Sequence, residues 1–281
     1  MGVGTGPATV DDLLADARAL GQPVTSRAIT DWISLGLLDH PTRRSAGRGQ
    51  GSHPALFSTE QRQLFHLLLA QRKKGTPVRL LTTFPLAFWV YWGDRYVPLG
   101  QARLALQTWL GRHRFPSQQR ARQAAADLVR ELTHPRASRR DRDALRELLT
   151  AVIWTGRVDD PDKLRRRLDH VVDPHNEGFA LGPPEVPIAP EVFVQAAVLR
   201  SRAATEFLAD RVPDLVFRDA QQGLCQALSA FLRHQPQLAR ELSHGPKALT
   251  IDRLVDGVAL DLLLAIGRCL EQNAPPPPGD R

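Results

Sequence analysis

A chain of 281 residues that is 42% hydrophobic and 24% charged can bury a full core, so overall disorder is excluded. The net charge of +7 favours a polyanionic partner, and the two distant cysteines exclude a disulfide framework and a site of cysteine pairs for zinc. The most apolar stretch, residues 80–92, is too short to span a bilayer, and the first residues lack the pattern of a secretory signal. We therefore expect a cytoplasmic protein without a membrane partner.

Residues 10–35 predict two short helices joined by a tight turn. Thr9 is placed to cap the first helix, which ends at Gly21, and Thr25 is placed to cap the second, which ends at Gly36. A helix that reads DNA needs polar side chains near its first turn, where it meets base edges. The candidate DNA-binding residues of the second helix are Thr25, Ser26, Arg27, Thr30 and Asp31. The pattern fits a helix-turn-helix, and the alternative is an ordinary helical hairpin.

A basic segment follows the second predicted helix. Residues 42–57 contain three glycines, three arginines and no acid. Such a segment suits the phosphate backbone, because arginine contacts phosphate and small residues permit close approach. It predicts a small β wing beside the second helix, and the alternative is a solvated loop. Its candidate DNA-binding residues are Arg43, Arg44, Arg48 and Gln50.

A third helix is predicted after the wing. Ser58 and Gln61 have the spacing of a capping box, in which each side chain bonds to the other residue's backbone. The helix ends in Lys73 and Lys74, two further candidate DNA-binding residues, followed by Gly75. From residue 41 to residue 74 the sequence has seven lysines and arginines, Arg62 among them, against one acid. The positive charge is therefore concentrated directly after the second predicted helix.

These elements, in this order, resemble the MerR-type winged helix-turn-helix DNA-binding domain over residues 9–75. Trp32 stands at the family's aromatic in the middle of the second helix, and Phe57 at the aromatic that closes the wing. The resemblance implies double-stranded DNA as the partner and a homodimer that reads a palindrome. Half-sites would then be separated by multiples of roughly 34–36 Å.

The second helix departs from that family at two positions. Thr30 stands where the family has a DNA-contacting arginine, and Asp31 where it has an aromatic. An acid facing DNA is unfavourable unless it accepts a hydrogen bond from a cytosine amino group. Arg27 is the candidate to replace the missing contact. The predicted wing is also several residues longer than is usual in the family.

Aromatic residues are concentrated between residues 84 and 96, which contain six of the chain's seventeen. The segment predicts either a short helix from Pro85 to Gly93, which we favour, or a hairpin that turns at Gly93. The aromatics fit a ligand pocket less well than a core or a dimer interface. The candidate ligand or interface residues are Trp89, Tyr91, Trp92 and Tyr96.

The rest of the chain is predicted to be helical, so the fold class is mainly α, with an N-terminal winged helix-turn-helix and a helical C-terminal region. Residues 1–8 are predicted to be a flexible N-terminus, 76–182 a helical middle region for dimerisation or sensing, 183–190 a proline-rich linker, 191–273 a C-terminal helical region and 274–281 a disordered tail. The helices are predicted at about 99–110, 117–133, 139–154, 161–172, 191–211, 214–234, 237–243 and 250–272.

Arginine is also abundant in the middle region. Residues 95–146 hold twelve arginines against four acids. This local excess predicts either a second face that contacts phosphate or the solvated side of amphipathic helices.

We expect a DNA-binding transcriptional regulator, with room for a small-molecule effector or a protein partner. One alternative is an accessory or scaffold protein of a plasmid or phage, of excisionase-like type. Another is a protein-interaction module that has lost DNA binding, as Asp31 suggests. No catalytic motif is present, so we expect no enzyme and no cofactor. The group His170, Asp173 and His175 fits a helix end and loop better than a metal site.

Overall fold

The computed structural model describes residues 4–45, 52–73, 75–111, 118–155, 158–173, 175, 190–233, 255 and 257–273. Within these ranges the chain is mainly helical and contains one two-stranded sheet, so the predicted mainly α class is confirmed. No helix in the described ranges is long and apolar enough to cross a membrane. The chain forms two compact units, one from residues 1–112 and 221–261 and the other from 113–220 and 262–281.

The first unit contains most of the predicted N-terminal elements. They are α1 (Val10–Ala19), α2 (Ser26–Ser34), β1 (Thr42–Ser45), β2 (Ser52–Leu56), α3 (Thr59–Lys73), α4 (Val78–Leu81), α5 (Thr83–Trp92) and α6 (Leu99–Leu110).

Of the described helices, four lie wholly in the second unit and two are divided between the units. Its own helices are α7 (Gln118–Leu132), α8 (Arg139–Thr155), α9 (Pro161–Val172) and α10 (Pro190–Leu208). Two helices contribute residues to both units, α11 (Asp214–Arg233) and α12 (Val258–Gln272).

The first two helices begin and end as their sequences predict. The hydroxyl of Thr9 accepts from the Asp12 amide at 3.2 Å, and that of Thr25 accepts from the Ala28 amide at 3.2 Å. Gly21 and Gly36 follow the two helices with φ of 70° and 73°. Each is part of a Schellman motif, in which two amides after the helix bond back to its last free carbonyls.

The two strands form an antiparallel pair. Thr42 lies opposite Leu56, Arg44 opposite His53 and Ser45 opposite Ser52. Phe57, directly after β2, exchanges two backbone hydrogen bonds with Ala8, at 3.1 and 2.8 Å. The residues before α1 are therefore fastened to the end of the hairpin.

The third helix begins at the predicted place, but its capping box is only half formed. The hydroxyl of Ser58 accepts from the Gln61 amide at 3.1 Å, as expected. The side chain of Gln61 bonds elsewhere: it accepts from the Asp39 amide and donates to the Tyr96 carbonyl and to Gln101, each at 2.8 Å. The predicted return bond is wrong because Gln61 is buried and its amide joins α3 to α6.

Two other predicted helix boundaries are tested by glycines with positive φ, at which helices end or begin. Residues 83–92 form α5, which ends at Gly93 with φ of 75°, so the hairpin alternative is wrong. The continuous helix predicted over 250–272 is also wrong, because Gly257 has φ of 79° and α12 begins after it. The predicted short helix at 237–243 and the tail at 274–281 lie outside the described residues.

Each unit has its own apolar core. In the first unit every residue of α5 from Thr83 to Val90 is buried. In the second unit, leucines and valines of α7, α8, α9 and α10 form one cluster, which includes Leu145, Leu149, Leu164 and Leu168.

Candidate nucleic-acid interface

The candidate reading residues lie on the solvent side of α2. Thr25, Ser26, Arg27, Thr30 and Asp31 are exposed. On the opposite face Ile29 and Trp32 are 1% and 4% exposed, and the ring of Trp32 lies 5.7 Å from that of Phe65 in α3. The helical period thus separates an apolar face, which holds α2 in place, from a polar face that is available to a partner.

The candidate residues of the predicted wing are described in part. The side chain of Arg43, on β1, is exposed. Arg44 lies opposite His53 in the sheet, but only its backbone is described, and the same holds for Lys73 at the end of α3. Arg48, Gln50 and Lys74 lie outside the described residues. Arg27 and Arg43 are therefore the two candidate cations whose exposure the structure establishes.

Arg62, which the charge count of the basic segment includes, is not on an exposed face. It is 9% exposed, and two of its nitrogens contact both carboxylate oxygens of Asp16, at 2.6 and 2.8 Å. A third nitrogen donates to the Gly6 carbonyl at 3.2 Å. The excess of positive charge near the wing is smaller than the sequence predicts, because this cation is neutralised inside the unit.

His66 completes this buried group, since its Nε2 lies 2.7 Å from the same carboxylate. The hydrogen bond from Arg62 holds the pKa of Asp16 below its ordinary value, and the contact with Asp16 raises the pKa of Arg62. The charged pair therefore fastens α1 to α3. Sequence reasoning missed it, because the partners are 46 residues apart.

The turn after α2 also packs against α6. A Cβ added to Gly36 would lie 2.4 Å from the backbone nitrogen of Ala105, so the turn after α2 rests directly on the backbone of α6. The side chain of Gln101 donates to the Leu37 carbonyl at 3.2 Å, and Gln61 joins the same buried network. The exposed polar face of α2 is thus positioned by α3 and α6 together.

Of the four aromatic candidates, Trp89 lies in the core of the first unit, and the other three, Tyr91, Trp92 and Tyr96, are half-buried. Trp89 is 0% exposed, and its indole nitrogen donates to Asp94 at 2.9 Å. Phe88, Tyr91, Trp92 and Tyr96 have ring centroids 5.4–6.4 Å apart. A cavity of about 380 Å³ lies nearby, but Leu80, Phe84 and Trp109 are among its lining residues and none of the four candidates is. These contacts support packing in a core or an interface over a ligand pocket.

Tyr91 provides a test of this packing. Burial, with smaller effects from Asp261 and Cys225, raises the pKa of Tyr91 to about 12. The folded protein therefore holds this proton longer than the unfolded chain, and the free energy of unfolding should fall as the pH rises from about 10 to about 12. Ultraviolet titration and chemical unfolding across this range should show the effect in the parent protein but not in Tyr91→Phe. Identical pH dependence in the two proteins would contradict the buried placement.

Among the described residues, no group of three histidine, cysteine or acidic side chains is placed to hold a metal ion. Comparison of the chain with models of protein families, with curated proteins and with solved structures gives no match.

Proposed function

We propose that the protein is a DNA-binding transcriptional regulator and that residues 9–75 are a winged helix-turn-helix of MerR-like type. The observation that carries the proposal is the order of elements α1, α2, β1, β2 and α3, with a polar exposed face on α2 directly before the hairpin. In winged domains the second helix enters the major groove and the hairpin lies along the phosphate backbone.

The charges near this face support a phosphate contact. Arg27 is exposed in the first turn of α2, and Arg43 is exposed on β1. The first acid after the hairpin, Glu60, lies 3.5 Å from Arg95 and is thereby partly neutralised, whereas Asp39, three residues before β1, is half-buried. Arginine is suited to this contact, because its guanidinium can donate two parallel hydrogen bonds to a phosphate.

Sequence preference is proposed to come from Thr30 and Asp31. Both side chains are exposed, one turn along α2 from Ser26 and Arg27. The hydroxyl of Thr30 donates to the Ser26 carbonyl at 3.2 Å, which leaves its oxygen able to accept. Asp31 can only accept when it is ionised, so it fits a cytosine amino group and opposes the guanine edge, which presents only acceptors in the major groove.

The double variant Arg27→Gln with Arg43→Gln should weaken binding to genomic DNA fragments about 10-fold or more at physiological salt. Loss of two phosphate contacts should also lower the slope of log affinity against log salt by about 2. Gel shifts or fluorescence anisotropy over a salt series measure both quantities. The matched control is Arg165→Gln with Arg166→Gln, which removes two exposed cations from α9.

Equal affinity of this double variant and its control would contradict the proposed interface. Failure of the parent protein to retain any fragment at low salt would favour the module that has lost DNA binding. Footprinting of the selected fragments separates the remaining alternatives: a palindromic promoter site supports a homodimeric regulator, whereas an attachment site, origin or transfer region supports the mobile-element protein.

A further inference from the structure

A groove in the second unit is lined by arginines from two neighbouring helices. It has a volume of about 580 Å³ and lies between the second half of α7 and the first half of α8. We call it the arginine groove and define it by Arg130 of α7 and by Arg139, Arg142 and Arg146 of α8. Asp143 is the one acid among its described lining residues.

The arrangement on α8 follows from the helical period. Residues 139, 142 and 146 are three and four positions apart, so they lie on one face of the helix. At 1.5 Å per residue they extend over roughly 10 Å along the axis. A DNA strand carries one phosphate at every nucleotide, so a row of guanidinium groups of this length can contact more than one phosphate.

The positive charge of the groove is only partly compensated. Asp143 lies 3.0 Å from Arg146 and 3.8 Å from Arg139, and Asp127 lies 3.0 Å from Arg130. Arg142 has no ion pair with any residue in the described part of the chain. Three of the four guanidinium groups thus share two carboxylates.

The existing ion pairs do not prevent binding. The side chains of Arg139 and Arg130 are 91% and 74% exposed. Exposed ion pairs of this kind contribute about 0–1 kcal/mol, so a phosphate can displace a carboxylate at little cost. The groove is therefore an accessible cationic surface.

We propose that the arginine groove is a second DNA-binding surface, which contacts the phosphate backbone without reading bases. This inference rests on the proposed DNA-binding function and extends it to the second unit. Duplex DNA is favoured over an acidic protein segment because four guanidinium groups in one groove suit a continuous row of phosphates.

The test compares full-length proteins on a mixed-sequence duplex between about 50 and 200 mM salt. The groove variant is Arg139→Gln, Arg142→Gln and Arg146→Gln. The control variant removes three exposed cations from α9: Lys163→Gln, Arg165→Gln and Arg166→Gln. Both variants change the net charge equally, and melting curves establish that both remain folded. A charge-preserving variant, with lysine at the same three groove positions, completes the set.

We expect the groove variant to bind about 10-fold or more weakly than the control, with a salt slope smaller by about 2–3. The lysine variant should keep the slope, since lysine also contacts phosphate. Equal binding by the groove and control variants would overturn the inference. So would displacement of the duplex by poly-glutamate as effectively as by unlabelled DNA, because the surface would then suit an acidic protein segment.

The same measurements distinguish the two proposals. If Arg27→Gln with Arg43→Gln weakens binding and the groove variant does not, the proposed function stands and the groove inference fails. If only the groove variant weakens binding, the interface on α2 is wrong and the groove inference stands. A parent protein that does not bind DNA at the lowest salt overturns both.

Discussion

Replacing Gly36 with alanine should lower the free energy of unfolding by about 2–5 kcal/mol. Two physical effects add. Gly36 has φ of 73°, a left-handed conformation that costs an L-residue about 1–2 kcal/mol. The new methyl group would also lie 2.4 Å from the nitrogen of Ala105 and 2.8 Å from the carbonyl carbon of Leu104. These are backbone atoms, so they cannot turn away, and α2 has to move off α6.

The matched control is Gly21→Ala. Gly21 has φ of 70° and follows α1 in a Schellman motif of its own, as Gly36 does after α2. In contrast to Gly36, nothing lies within 4 Å of a Cβ added to Gly21. Gly21→Ala should therefore cost only the backbone term, about 1–2 kcal/mol. Urea unfolding followed by circular dichroism measures both variants. Equal destabilisation would mean that the contact between α2 and α6 contributes nothing.

Features that depend on neighbours in sequence were predictable. Helices α6 and α9 have the predicted bounds, 99–110 and 161–172. In α9 this is because Asp160 accepts from the Lys163 amide at 2.8 Å and Pro161 occupies the first helical position. The exposed face of α2 was predictable for the same reason, since Thr25 fixes where the helix begins and the period then determines which residues face solvent.

Features that depend on distant partners were not predictable. Gln61 has the spacing of a capping residue, yet its side chain bonds to Gln101, 40 residues away. Arg62 looks like one more cation of a basic segment, yet it is buried against Asp16. Charged and amide side chains are mostly exposed in folded proteins. Since the sequence does not show which distant residue would pair with Gln61 or Arg62, both are predicted to lie on the surface. The predicted exposure of the α2 candidates is therefore confirmed, whereas the exposed positive charge of the basic segment was overcounted.

Replacing the buried Asp16 with alanine should lower the free energy of unfolding by about 3–5 kcal/mol. Asp16 is 5% exposed and contacts both Arg62 and His66. Without it, the guanidinium of Arg62 remains in the interior with its charge uncompensated. Removal of one partner from a buried pair is costly for this reason, even where the intact pair contributes little net stability.

Acid should reproduce this loss in the parent protein. The pKa of Asp16 is lowered in the folded state, chiefly by the hydrogen bond from Arg62. Ionised Asp16 therefore makes its full contribution to the free energy of unfolding above the ordinary carboxyl pKa of 3.8. This contribution is lost as the pH falls through the lower pKa of the folded state. Urea midpoints measured between neutral pH and about pH 3 should fall less steeply in Asp16→Ala than in the parent. Parallel curves would contradict the assignment of the low pKa to Asp16.

A double variant distinguishes loss of compensation from loss of packing. Asp16→Leu with Arg62→Met replaces both charges by apolar side chains and should recover most of the stability that Asp16→Ala loses, because no buried charge is left unpaired. His66 keeps access to water, with its side chain 23% exposed, so its ring can be solvated without Asp16. Asp11→Ala, at an exposed position of the same helix, should cost less than about 1 kcal/mol. If the double variant were as unstable as Asp16→Ala, the destabilisation would come from the lost hydrogen bonds and packing between α1 and α3. An uncompensated charge on Arg62 would then not be its cause.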